Sequence, residues 1–154
     1  MVKPWGPGRD AIEKMIGDGE LKKIAGYNAD GTDLLESAVR AHASSVLLKV
    51  EDPRGAIILA YDAGRLACEA LLAHQGLRAR VDNGHHAIVF AAVTAQFGKR
   101  FSDIDLLRRR RNELEYPTHG VDKADDDEAQ EAIVQTEQLL DAVSRLMPEL
   151  AIWN

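Results

Sequence analysis

PRGAIILAYDAGRLACEALLAHQ, residues 53 to 75, is the most apolar and alanine-rich stretch of this chain, and its reading decides the fold. It opens on Asp52-Pro53, and proline is tolerated in a first helical turn because its missing N–H would find no partner there. Gly76 follows, a natural stop for a helix. The segment is predicted to be a helix at the centre of the molecule, where small residues let neighbouring helices come close.

Working outward, the other segments also carry helical periodicity and no strand alternation. A first helix is expected from about residue 9 to 23, weakened at Gly17 and Gly19. A second is capped by Thr32 or Asp33, with Leu34, Leu35, Ala38, Val39, His42 and Val46 on one face. A fourth is expected from 85 to 97, and a fifth from a Ser102 cap to Tyr116, where Pro117 stops it. The last runs from 125 to 146 on Ile133, Leu139, Leu140, Val143 and Leu146. Its first turn holds Asp125, Asp126, Asp127 and Glu128, as the helix macrodipole favours. Six helical segments with short links predict an all-α bundle. The domain reading is an N-terminal extension with a short helix over residues 1 to 30 and one bundle over 31 to 150.

The bulk numbers fit that class. The chain has 154 residues, 45% hydrophobic and 29% charged, enough for one domain with a real core. Cys68 is the only cysteine, which excludes an intrachain disulfide and suits a reducing cytoplasm, the expected location. No apolar run reaches the roughly 20 residues of a membrane span, and no Cys/His spacing suggests a metal. The N-terminal MVKPWGPGRD has no apolar signal core. A net charge of −6 opposes general polyanion binding, so any phosphate site must be a local basic patch.

The dense basic patch lies in RRRRNELEYPTH, residues 108 to 119. Helical spacing puts Ile104, Leu107, Arg108, Arg111 and Glu115 on one stripe, so at least one arginine borders the core. Arg109 with Glu113 and Arg111 with Glu115 stand four apart. A buried guanidinium needs a carboxylate, and Asp62, set between Ile58 and Leu66 on the central helix, is the nearest candidate for Arg108 or Arg111. The functional alternative is that adjacent guanidiniums grip a phosphate bidentately, with Asn112 and Tyr116 adding hydrogen bonds. The blandest reading leaves most of the arginines in solvent.

The segments AYDAGRLACEALLAHQGLR (60 to 78), GHH (84 to 86) and RRRRNELEYP (108 to 117) resemble bacterial HEPN domains. The subgroup is a small stand-alone one whose fifth-helix motif reads Arg-Asn and then Glu-Tyr-Pro. The resemblance covers roughly residues 30 to 147. It implies a HEPN-like bundle of four main antiparallel helices with short additional ones, and a homodimer. It also implies RNA or nucleotide binding, or pairing with a small nucleotidyltransferase in a toxin–antitoxin or defence setting. Many such domains are metal-independent ribonucleases with a histidine four to six residues after the motif arginine. Here that arginine is Arg111, and the histidine position falls on Tyr116, Pro117 or Thr118. The resemblance therefore implies binding with degenerate catalysis, with active endoribonuclease and non-enzymatic scaffold as alternatives. Arg108, Arg111, Asn112, Glu115 and Tyr116 would form the site, and Tyr61, Asp62 and Arg65 its second wall. Arg111 and Tyr116 are the candidate catalytic pair, since tyrosine can donate a proton but is a poor base. No cofactor or metal is implied.

His85 and His86 are adjacent and diverge by about 100°, so they cannot chelate one metal. One is expected to cap or pack while the other is solvated; alternatively one of them, or His119, supplies the missing base. His42 is read as a satisfied boundary histidine, and His74 as a residue near a helix C-terminus. Glu69 extends the Asp62 stripe. Trp5 and Trp153 either dock the termini or form an oligomer contact.

Overall fold

In the computed structural model, residues 4–82, 84–118 and 123–154 are described. The elements in order are α1 (Arg9–Gly17), β1 (Leu21–Lys23), α2 (Thr32–Leu48), α3 (Pro53–His74), β2 (Leu77–Ala79), α4 (His85–Phe97), α5 (Asp103–Glu115) and α6 (Asp126–Leu146). Short 3-10 turns lie at Gly26–Asn28, Lys99–Phe101 and Met147–Glu149. Among the described residues the fold is a helical bundle of six α-helices with one small two-stranded ribbon.

The central placement of the alanine-rich segment holds. Ala56, Ala60, Ala63, Gly64, Ala67 and Ala70 of α3 are buried together with Ile57, Tyr61, Leu71 and Leu72. The most extensive interfaces are α2 on α3 and α6 on α3, with α4 and α5 on its other sides. Small residues permit this crowding. A Cβ on Gly31, just before α2, would lie 2.1 Å from the Ala70 carbonyl oxygen. One on Gly64 would lie 2.4 Å from Cδ1 of Ile104 in α5. Near the other end of α5, the Leu114 carbonyl accepts from Arg54 Nε at 3.3 Å. Those two meetings make α5 run opposite to α3.

Helix ends follow local chemistry. Asp52 Oδ1 accepts from Gly55 N at 2.9 Å and Asp125 Oδ1 from Glu128 N at 2.8 Å, each satisfying a first-turn donor. The caps expected on α2 and α5 differ. Gly31 occupies the α2 cap position, and Asp30 instead accepts from both Thr32 N and Thr32 Oγ1. Ser102 does stand at the α5 cap, but its hydroxyl donates back to the Lys99 carbonyl.

Two expectations about elements are corrected. The first helix ends at Gly17, because Gly19 turns the chain through a left-handed φ of 76°. Leu21, Lys22 and Lys23 then pair antiparallel with Ala79, Arg78 and Leu77, where no strand was expected. On α2 the inner face is narrower than predicted. Ala38 and Ser45 are buried, whereas Val39 and Val46 are exposed. His42 is satisfied at the boundary, its Nε2 lying 3.0 Å from the Ile133 carbonyl.

Both tryptophans dock chain ends. Trp5 donates to the Gln96 carbonyl at 3.0 Å and tilts against Phe97. Trp153 donates to Glu13 Oε1 at 2.8 Å, and its backbone N–H to the Gln75 carbonyl at 2.7 Å. Beneath them Gln75 and Gln96 form a fully buried reciprocal amide pair, at 2.7 and 3.0 Å. Truncating one partner strands the other, at a cost of about 1–3 kcal/mol, whereas replacing both removes the stranded groups. Urea unfolding is expected to show Gln75→Leu less stable than wild type by about that amount, and the Gln75→Leu/Gln96→Leu double variant less destabilised than the sum of the singles. Strict additivity would contradict the pairing.

Candidate functional site

Lying against α3 brings the inner stripe of α5 onto the polar stripe of the central helix. Asp62, Arg65 and Glu69 stand at spacings that share one face of α3. Arg65 Nη1 donates to both carboxylate oxygens of Glu69 at 3.1 Å, and its Nη2 lies 3.8 Å from Asp62. On α5, Arg108 Nε donates to Asp105 at 2.8 Å. Arg111 donates through Nη2 to Glu115 at 2.9 Å and through Nη1 to Asn112 at 3.1 Å. The expected pairing of Asp62 with Arg108 or Arg111 is therefore not formed. Carboxylates on the same helix as each arginine reach it without spanning the gap between helices.

Of the tandem pairs expected on α5, Arg111 with Glu115 forms. Arg109 turns to Asp105 at 3.4 Å, and Glu113 meets Arg110 at 3.2 Å. Arg110 also binds the Glu128 carboxylate on α6. Asp105 thus serves two arginines. Its single Arg108 bond uses Nε and leaves both Nη groups as a planar donor fork.

Tyr61 is the hinge of the site. It is fully buried, and the Arg111 guanidinium lies over its ring at 5.5 Å. Its hydroxyl meets Nδ1 of His86 at 2.7 Å. Burial pushes the phenol up to about 12, even though Arg65, Arg111 and Arg108 all pull it down. His86 is held below its ordinary value, first by burial and then by the positive charges of Arg65 and His85. The ring beside Tyr61 is thus neutral near pH 7, with Nδ1 toward the phenol and Nε2 left for the cleft.

His85 is not solvated, contrary to expectation. Its Nδ1 lies 2.8 Å from the Arg80 carbonyl and its Nε2 3.0 Å from Glu69 Oε1. His74 meets the α2 entry, its Nδ1 3.4 Å from Gly31 N and 3.6 Å from Asp30.

These groups converge on a cleft of about 300 Å³ at the N-terminus of α4. Asp82, Gly84, His85, His86 and Ala87 line one side and Arg108 and Asn112 the other, and the Asp82 carboxylate lies 3.9 Å from Arg80 Nε. Gly84 has no side chain with which to cap α4, so the partial positive charge of the helix end faces the cleft. Two guanidinium nitrogens, Arg65 Nε and Arg111 Nε, are buried without a hydrogen-bond partner among the described residues.

Of the residues predicted from sequence, Arg108 and Asn112 line the cleft, Tyr61 and Arg111 adjoin it through the Tyr61–His86 contact, and Arg65 through Glu69 and His85. Glu115 and Asp62 serve as ion-pair partners at the edge. Tyr116 does not join them: it lies beyond α5, 71% exposed, and no side-chain contact ties it to the cluster among the described residues. Pro117 breaks the helix before Tyr116 can continue the inner stripe. His119 lies outside the described residues. Sequence reasoning undervalued His86, Glu69 and Asp105. The local signals for His86 were the GHH segment and its place in the first turn of a helix. Among the described residues no cluster of His, Cys, Asp and Glu has metal-holding geometry, and no helix is long and apolar enough to cross a membrane.

Compared with protein-family models, curated proteins and solved structures, the chain matches none of them.

The charges around His86 set a titration that can be read directly. The folded chain resists a proton that the unfolded chain takes up near pH 6.5, so His86 makes the protein lose stability as pH falls below that value. The loss ends once pH drops below the depressed folded value. Proton NMR of the histidine ring is expected to show His86 titrating below 6.5, and Arg65→Gln to move it upward, since a cation has gone. An unchanged His86 titration in that variant would contradict the electrostatic account.

Proposed function

We propose that this chain is a HEPN-like protein whose α4–α5 cleft binds a phosphate of RNA or of a nucleotide. One observation carries the reading: an uncapped helix N-terminus, the Arg108 fork and a neutral His86 line the same cleft. Each favours an oxyanion by different physics. The helix end offers a dipole and N–H donors, the guanidinium offers bidentate charge-assisted bonds, and the imidazole offers a donor or acceptor. In the proposed setting, a toxin–antitoxin or defence module, a small nucleotidyltransferase is the partner.

A second reading is favoured by His86 specifically. The ribonuclease chemistry of the resembled family needs a base near a guanidinium, and Tyr116 is a poor base by its intrinsic pKa. Neutral His86, beside Arg108, is a competent base in the tautomer whose Nδ1–H donates to the Tyr61 oxygen, because Nε2 is then free to accept a proton. It would take the proton from a ribose 2′-OH; the 2′-oxygen would attack phosphorus, and the 5′-oxygen would leave with a proton from solvent. Arg108, which lines the cleft, would offset the charge that builds on the phosphoryl oxygens.

Fluorescence anisotropy with a short single-stranded RNA tests the binding reading. Arg108→Ala is expected to weaken binding about tenfold, the scale of one lost charge-assisted pair. Arg109→Ala, whose side chain is 67% exposed, serves as the control and is expected to change little. Equal effects from both would reduce the site to nonspecific charge. In the same preparation with a chelator present, RNA cleavage lost in His86→Ala would establish the ribonuclease reading, and intact RNA would remove it.

The same reading takes the protein to be a homodimer. On α2, Val39, Val46 and Leu47 are exposed, with Val50 just beyond the helix. A second copy covering this face is the arrangement proposed. Light scattering is expected to give a dimer for the wild type and a monomer for Leu47→Asp, which leaves the core untouched because Leu47 is 82% exposed. A monomeric wild type would end the proposal.

A further inference from the structure

His85 lines two hollows. One is the phosphate cleft; the other is a chamber of about 550 Å³ between the α2 entry, α3, β2 and α4. The His85–Glu69 pair, closed at 3.0 Å, stands where the two meet, because Glu69 lines the chamber and His85 lines both. The chamber differs from the cleft in chemistry. Leu34, Leu72 and Val89 give it apolar walls, and Tyr27 stands at its rim with its ring 92% exposed. The carboxylates of Asp30, Asp33 and Glu69 also line it, as does Arg78.

We infer that the chamber receives the base of a nucleotide whose phosphate sits in the cleft, with His85 between them. This rests on the phosphate reading of the cleft and adds the ligand class. Polarity fixes the orientation. The chamber sets three carboxylates against Arg78, whereas the cleft sets Arg108 and the α4 N-terminus against Asp82 alone, so the phosphate is drawn to the cleft. Glu69 is engaged by Arg65 and His85, which leaves Asp33 to accept from an exocyclic amino group. Apolar walls and an exposed tyrosine suit a flat aromatic ring, which stacks on such a side chain whatever its identity. The chamber volume lies inside the usual range for small-ligand pockets, roughly 300 to 1,000 Å³. Adenine and cytosine, which carry an amino group, fit the carboxylate better than uracil does. A free mononucleotide and one nucleotide of an RNA strand present the same chemistry.

Calorimetric titration of the full chain with inorganic phosphate, ribose 5-phosphate, AMP, UMP and a tetraadenylate separates the possibilities. AMP is expected to bind about tenfold more tightly than ribose 5-phosphate, and UMP in between. Tyr27→Ala and Asp33→Asn are expected to remove most of the AMP advantage while leaving phosphate and ribose 5-phosphate binding unchanged. Tyr27 lies outside the core, so this variant keeps the fold. Tetraadenylate binding at least as tightly as AMP, with the same dependence on Tyr27, identifies an RNA strand as the source; weaker tetraadenylate binding identifies a free nucleotide. AMP no tighter than ribose 5-phosphate, with both still dependent on Arg108, overturns the base chamber alone. No binding of phosphate, ribose 5-phosphate or AMP overturns the phosphate reading and the chamber with it.

Discussion

The approach of α5 to α3 at Gly64 organises the rest of this molecule. With no Cβ at that position, Ile104 packs directly onto the central helix, and Leu107 and Leu114 follow it into the core. Once the apolar residues of α5 are anchored, the same stripe carries Arg108 and Arg111 to the boundary with α3. A guanidinium there has lost part of its water, and leaving it unpaired would cost several kcal/mol. Carboxylates accordingly flank each one: Asp105 and Glu115 on α5, and Asp62 and Glu69 around Arg65 on α3. The packing of a glycine against an isoleucine thus decides where the charges meet.

Within that cluster, burial and charge compete, and their outcomes differ by residue. Three arginines pull the Tyr61 phenol toward ionisation, yet desolvation wins and the hydroxyl stays protonated. For His86 the two effects act together, since both burial and neighbouring cations disfavour a second positive charge. The result is a neutral phenol–imidazole pair set inside a ring of ion pairs. Individual surface pairs of this kind contribute little to stability, about 0.2 to 0.5 kcal/mol for a pair four residues apart on a helix. Their effect here is geometric: Asp105 holds the Arg108 stem at Nε, and Arg108 lines the cleft.

Helical periodicity carried most of the architecture. α4 spans His85–Phe97, as its apolar pattern and flanking glycines indicated, and α6 buries the five apolar residues that its spacing selected. The β1–β2 ribbon was not legible, because strands of three residues are too short to show an alternation and exist only by pairing across more than fifty residues of chain. The same distance hid the site. Arg111 and its partner Glu115 were legible from their four-residue spacing, whereas Arg108 and Arg109 both turn to Asp105, a choice among rotamers that spacing alone leaves open. The Tyr61–His86 contact joins residues 25 apart on separate helices, with no periodicity to announce it.

The sequence by itself determined that the chain forms helices, which of them is central and which stripe of α5 turns inward, because those follow from local spacing and side-chain size. Only the tertiary structure decided that Asp62 stays with Arg65 and Arg110 reaches Glu128, that Tyr116 is left outside, and that His86 enters the cluster. Those outcomes depend on the relative placement of whole helices, and desolvation acts only after that placement is fixed.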